Sequence, residues 1–187
     1  MPQRFFKLAD DVYIPHRWDL GMPRNSQGVE LDDWQFRLGE PVHIQERLRI
    51  PVEGAGKPLD YTEAGVRLPV VHVRVASLFA ELAPDDVQLL PVDIEGQPDQ
   101  YLILVATRRF RCINEQASRI RLWTHENGVP HKVGQYMSVR DLRIDKSQVG
   151  SAKVFRCEGW EGPLIVSEVI KDGLEQMGAT GTRFEEV

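Results

Sequence analysis

With 187 residues, 42% of them hydrophobic and 27% charged, the chain has enough apolar material for a real core, which excludes wholesale disorder and fibrous architectures. Its 23 Lys and Arg against 28 Asp and Glu leave a net charge of −5, which disfavours non-specific attachment to nucleic acid through the bulk field. The two cysteines, Cys112 and Cys157, lie far apart in sequence and in no metal-ligand spacing, so neither a disulfide framework nor a zinc site is expected and a reducing, cytoplasmic setting fits.

At the N-terminus, Lys7 and the Asp10-Asp11 pair interrupt a short apolar run, so it lacks the core of a signal peptide. Residues 1–65 are rich in Pro, Gly, Asp and Trp and read as a loop-rich lobe with short strands, packed on the same domain as the rest. The lobe's clear strand signal is Val42, Ile44, Leu48 and Ile50 alternating against His43, Gln45, Arg47 and Arg49. The turn-rich segment PVEGAGKP then leads toward a second region, residues 66–187. Here LPVVHVRVASLFAELAPDD predicts a short strand feeding a short helix that Pro84 stops. VQLLPVDIEG and YLILVATRRFRCI predict two strands joined as a hairpin through GQPDQ. The run Tyr101–Ala106 is apolar on both faces, which marks a central strand covered on both sides; it is far short of the roughly 20 residues of a membrane helix. RIRLWTH, SVRDLRID and KVFRCE predict further strands. Ser167 is then placed to cap a helix from Glu168 to Met177 that Gly178 ends, and TRFEEV predicts a last strand. The expected class is α+β: a mostly antiparallel sheet with a short middle helix and a C-terminal amphipathic helix.

Charge is segregated along the chain. No basic residue falls between Arg74 and Arg108, where Glu81, Asp85, Asp86, Asp93, Glu95 and Asp99 all lie; Arg108, Arg109, Arg111, Arg119 and Arg121 then follow with only Glu115 opposing them. If RRFRCI and RIRLW pair as a hairpin, Phe110, Cys112, Ile120 and Leu122 share one face and Arg109, Arg111, Arg121 and Trp123 the other. Like charges across paired strands cost up to about 1 kcal/mol, so such a face is either compensated by carboxylates or used for binding. Asp85, Asp86, Asp93, Glu95, Asp99, Arg109, Arg111, Arg121, Trp123 and Trp160 form the candidate partner-binding set, because Arg and Trp anchor interfaces and opposed charge speeds encounter.

No catalytic residue, metal ligand or cofactor is expected. The five residues between His125 and His131 describe a turn, while His43 and His72 read as solvent-facing positions on strands. The cysteines read as small buried thiols with raised pKa. Ser167 lacks the glycines of a nucleophile elbow, and GATG follows a helix instead of opening one, so it is no phosphate loop.

Val154-Phe155-Arg156, Trp160, Leu164 to Glu168, the helix to Met177, and the closing Gly181, Phe184 and Val187 resemble the end of the immunity protein 11 family. QLLPVDIEG and YLILVATRRFRCIN resemble that family's paired strands, so the resemblance covers about residues 68–187. It implies a small α+β protein encoded beside a polymorphic or type VI secreted toxin, which protects bacteria by binding and blocking that toxin. The acidic block would suit a basic nuclease as the toxin. Two other readings stand beside it: a nucleic-acid-binding regulator using the Arg/Trp face, and a small hydrolase whose carboxylates converge only on folding.

Overall fold

The computed structural model describes residues 3–187. The chain runs through β1 (Phe5–Asp10), β2 (Asp19–Leu20), β3 (Leu48–Ile50), β4 (Val52–Gly54), β5 (Tyr61–Ala64) and β6 (Leu68–His72) into α1 (Val73–Leu82). It continues through β7 (Val87–Ile94), β8 (Tyr101–Ala106), β9 (Arg109–Phe110), β10 (Arg119–Leu122), β11 (Tyr136–Arg140), β12 (Val154–Cys157) and β13 (Trp160–Ser167). Last come α2 (Glu168–Gln176) and β14 (Thr182–Glu186).

Two five-stranded sheets carry the fold, in the orders β3-β7-β8-β6-β5 and β14-β1-β13-β12-β9, and β2-β4 and β10-β11 form small ribbons. Pairing is antiparallel except at β3/β7 and β9/β12, so the α+β class is as expected. Strand β8 explains the stacking. All six of its residues are buried: Leu102, Leu104 and Ala106 face a core shared by both sheets and both helices, while Tyr101, Ile103 and Val105 face the N-terminal lobe. Strand β13 plays the same part in the other sheet, with Leu164 and Val166 inward and Ile165 toward Leu142, Ile144 and Val149. The helices fill the shared core with Val75 and Phe79 from α1 and Ile170 and Leu174 from α2. Burying each such side chain stabilises the fold by about 1.5–3 kcal/mol.

Three expectations are corrected, and the sheets run across the boundary read near residue 65. The strand predicted across Val42–Ile50 shrinks to β3, because the Gln88 side chain takes over the backbone of Val42: its Oε1 accepts from Val42 N at 2.8 Å and its Nε2 donates to Val42 O at 3.0 Å. The boundary near residue 65 falls inside the β5–β6 hairpin, and β1 lies in the middle of the second sheet between β13 and β14, so the two regions interleave. The RRFRCI/RIRLW hairpin does not form. Strand β9 pairs in parallel with β12 and β10 pairs with β11, because Cys112 to Asn114 are drawn to the segment 143–145: Ile113 bridges Ile144, Asn114 N donates to Arg143 O, and Cys112 O accepts from Asp145 N. Ser167 occupies the N-cap position of α2, but its buried hydroxyl has no partner; the amide of Glu168 donates instead to Arg4 O at 2.9 Å.

Candidate functional site

The acidic stretch does not make one patch. Strand β7 separates Asp85 and Asp86 from Asp93, Glu95 and Asp99, a distance of roughly 23 Å at about 3.3 Å per strand residue. Asp86 is 6% exposed; its Oδ2 accepts from the amides of Lys153 at 2.7 Å and Val154 at 3.3 Å, which ties the turn after α1 to the start of β12. It is held inside the fold and not offered to a partner. Asp93 is exposed and paired with Arg47 at 2.8 Å, and Asp99 lies 4.0 Å from Nε2 of His72. His72 is not the solvent-facing residue expected: its Nδ1 accepts from the amide of Arg74, capping α1, and its ring packs edge-on against Tyr101. Asp93 and Glu95 line a cavity of about 610 Å³ with Arg24 and Arg49, a lining of mixed sign. Asp85 is exposed, and its carbonyl accepts from Thr107.

The basic set is also dispersed. Arg109 donates to Leu38 O at 3.1 Å from β9, Arg111 follows it, and Arg121 sits on β10 in the separate ribbon. Trp123 lies just beyond, with the Lys132 ammonium 5.0 Å from its ring. The cysteines, distant in sequence, meet in the core with their sulfurs 3.6 Å apart. Their shared hydrogen bond and burial push the Cys157 thiol up.

What the fold does assemble is a cleft between the sheets, lined by charged and apolar residues together. Two adjoining cavities, of about 530 and 540 Å³, share Asp10, Val12, Glu63 and Arg67. Five elements supply the walls: the end of β1, the β5–β6 turn, the end of β11, the start of β13 with Trp160 and Gly162, and β14 with Arg183 and Glu185. Of the candidate partner-binding set read from the sequence, Trp160 alone is here.

Burial sets the electrostatics. Asp10 Oδ2 accepts from Arg17 at 2.6 Å and from the amide of Glu63 at 3.1 Å, so one carboxylate links β1, β5 and the loop before β2. Burial, with Asp10 beside it, pushes Glu63 up to about 7, although Arg67, Arg156 and Arg17 oppose the shift. Beneath them Arg156 is 1% exposed; its Nη1 donates to Gly162 O at 2.7 Å, while its Nε and Nη2 have no partner among the described residues. Burial lowers that guanidinium to about 10 against the pull of Tyr61 and Glu63. The hydroxyl of the fully buried Tyr61 is likewise without a partner. Above Gly162 lies Arg67, whose Nη1 would be 3.3 Å from a Cβ at that position. Around the mouth stand exposed apolar side chains, Val12, Val66 and the 77% exposed Tyr13, whose ring carries the Arg183 guanidinium at 5.5 Å.

A signal for the buried members existed. Alternation along VFRC puts Arg156 on the same face as Val154, between apolar neighbours, where a charge needs a special reason. Glu63, Arg67 and Tyr13 carried none, because only the folded chain gathers them.

Residues 10–187 match the model of the Immunity protein family (Imm11). The chain belongs to this family. The match reaches well beyond residues 68–187 and takes in the N-terminal lobe, in keeping with the interleaved sheets. Membership in Imm11 implies toxin immunity and a cognate toxin as partner. No curated protein matches the chain. Among the described residues, no group of three His, Cys, Asp or Glu is placed to hold a metal ion, and no helix is long and apolar enough to cross a membrane.

Proposed function

We propose that this Imm11 protein is a non-enzymatic, cytoplasmic immunity protein that neutralises a secreted toxin of the polymorphic or type VI kind by seating it on the mouth of the inter-sheet cleft. The observation that supports this reading is the ring of exposed side chains there: Val12, Tyr13 and Val66 beside Trp160, Arg67 and Arg183. Aromatic and Arg side chains that desolvate together carry most of the energy of protein interfaces, and solvent-exposed apolar groups gathered at one place mark such surfaces. A basic nuclease as the toxin finds less support, since the acidic stretch is divided between the two ends of β7 and partly buried.

The test is co-expression with the toxin encoded beside this gene. Wild-type protein is expected to protect, and the double variant Tyr13→Asp/Val66→Asp to lose protection at an unchanged melting temperature. Full protection by the double variant would move the docking surface elsewhere; no protection by the wild type would remove the immunity reading itself.

A further inference from the structure

We infer that the cleft mouth is a carboxylate receptor, in which Arg67, lying over Gly162 and backed by the buried guanidinium of Arg156, takes an acidic side chain from a projecting segment of the toxin. This rests on the docking reading above and specifies the chemistry of the contact.

The first argument is the balance of charge at the mouth. Three of its carboxylates are engaged within the protein, Asp10 with Arg17, Glu185 with Lys7, and Asp141 with Arg119, which leaves Glu63 and, in the adjoining cavity, Asp19 without an ion-pair partner among the described residues. Arg67, Arg140 and Arg183 line the same cavity, and among the described residues none has a carboxylate within ion-pair distance. With these three unpaired guanidiniums against the carboxylates of Glu63 and Asp19, a molecule of net charge −5 presents an excess of free positive charge here. A basic segment would meet more free cations than free acceptors, whereas an acidic one meets a guanidinium able to bond it through two N–H groups.

The second argument is backbone strain. Among the described residues, three other than glycine have positive φ, and two of them, Arg67 at 73° and Asp141 at 47°, line this cavity. Arg67 stands in the β5–β6 turn at a conformation that glycine adopts without cost. Keeping a long cation at such a position makes sense where its head group is used.

The third is Arg156. A buried guanidinium with two unbonded nitrogens and no carboxylate within ion-pair distance is a poor stabiliser, and its charge is little screened. An anion over Gly162 would give it a counter-charge. Glu63 is the internal competitor. The groups facing it are Asp10 from β1, Arg17 from the following loop, Tyr61 from its own strand, Arg67 from the turn and Arg156 from β12. An incoming carboxylate adds a like charge, so the site binds it better when Glu63 is protonated, and the Glu63 pKa of about 7 sets the window. Since an acidic ligand side chain stays ionised from pH 6 to 8, binding is tighter at pH 6.

The experiment titrates the full chain with a capped tetraglutamate peptide, and with tetraglutamine and sodium chloride at matched ionic strength as controls, following amide and Arg side-chain signals by NMR. Expected are saturable shifts at Arg67 and Gly162 with tetraglutamate alone, stronger at pH 6 than at pH 8. Arg67→Gly, with Arg67→Asn as a second replacement tolerated at positive φ, should weaken binding about tenfold or more with an equal or higher melting temperature. Glu63→Gln should abolish the pH dependence. No saturable shift, equal response to tetraglutamine, or wild-type affinity in both Arg67 variants would overturn the inference. In the co-expression assay, protection by wild type and equally by Arg67→Gly sinks the carboxylate receptor and leaves immunity standing. Failure of the wild type sinks immunity instead.

Discussion

Asp86 and Asp93 belong to the same acidic stretch, yet one lies under two backbone amides and the other meets Arg47 in solvent. Removing the first leaves buried donors unsatisfied; removing the second loosens a surface pair. Asp86→Ala should therefore cost about 1–3 kcal/mol and Asp93→Ala less than about 0.5 kcal/mol, as read by urea denaturation. Asp60 shows a third case. Its burial alone would raise the carboxyl, but Arg74 at 2.7 Å and the Thr180 amide and hydroxyl bring it down to about 2. A carboxyl depressed on folding contributes stability that is present above its unfolded pKa near 3.8 and lost as pH falls through about 2. Asp60→Asn should lower stability at neutral pH, and the gap to wild type should close between pH 4 and pH 2 in acid-unfolding curves. Arg156→Met should melt at or above the wild-type temperature, because a well-packed apolar chain often replaces a buried charge without loss. A drop of several degrees would mean that the Gly162 bond outweighs the cost of desolvation.

Among the elements, those with an internal signature were legible. Strand β8 was readable because its apolar residues cover both faces, and α2 because Gly178 ends it at φ 64°. Pairing was not legible where it is remote. Phe110 lies opposite Cys157, not a near neighbour, and period-two alternation determines which way a side chain faces without naming the strand beside it. The meeting of Cys112 with Cys157 was hidden for the same reason. Two glycines after α2 separate conformation from contact. Both have positive φ, but a Cβ on Gly178 would meet nothing within 4 Å, whereas one on Gly181 would run into the Tyr61 carbonyl. Gly178→Ala should cost about 1 kcal/mol and Gly181→Ala several times that, by thermal or chemical unfolding of the two variants side by side.

At the scale of the whole molecule, the site escaped the sequence because five separate elements build it, and only Trp160 stood out beforehand as an aromatic in a loop-like segment. The same interleaving governs stability. Strand β1 pairs through Phe5–Leu8 with β13 and through Phe6–Asp10 with β14, so residues 66–187 alone would have β13 and β14 facing an empty channel. That fragment is expected to show no cooperative thermal transition by circular dichroism, and a sharp transition would mean that the C-terminal sheet can close without β1.

Strand β1 takes both its sheet neighbours from residues 164–186, so the backbone edges of Phe5–Asp10 stay unpaired until that distant part of the chain is made. Until those residues arrive, the strand is open to chaperones or to pairing elsewhere. A message that stalls before residue 164 thus yields a chain in which β1 has neither of its sheet partners.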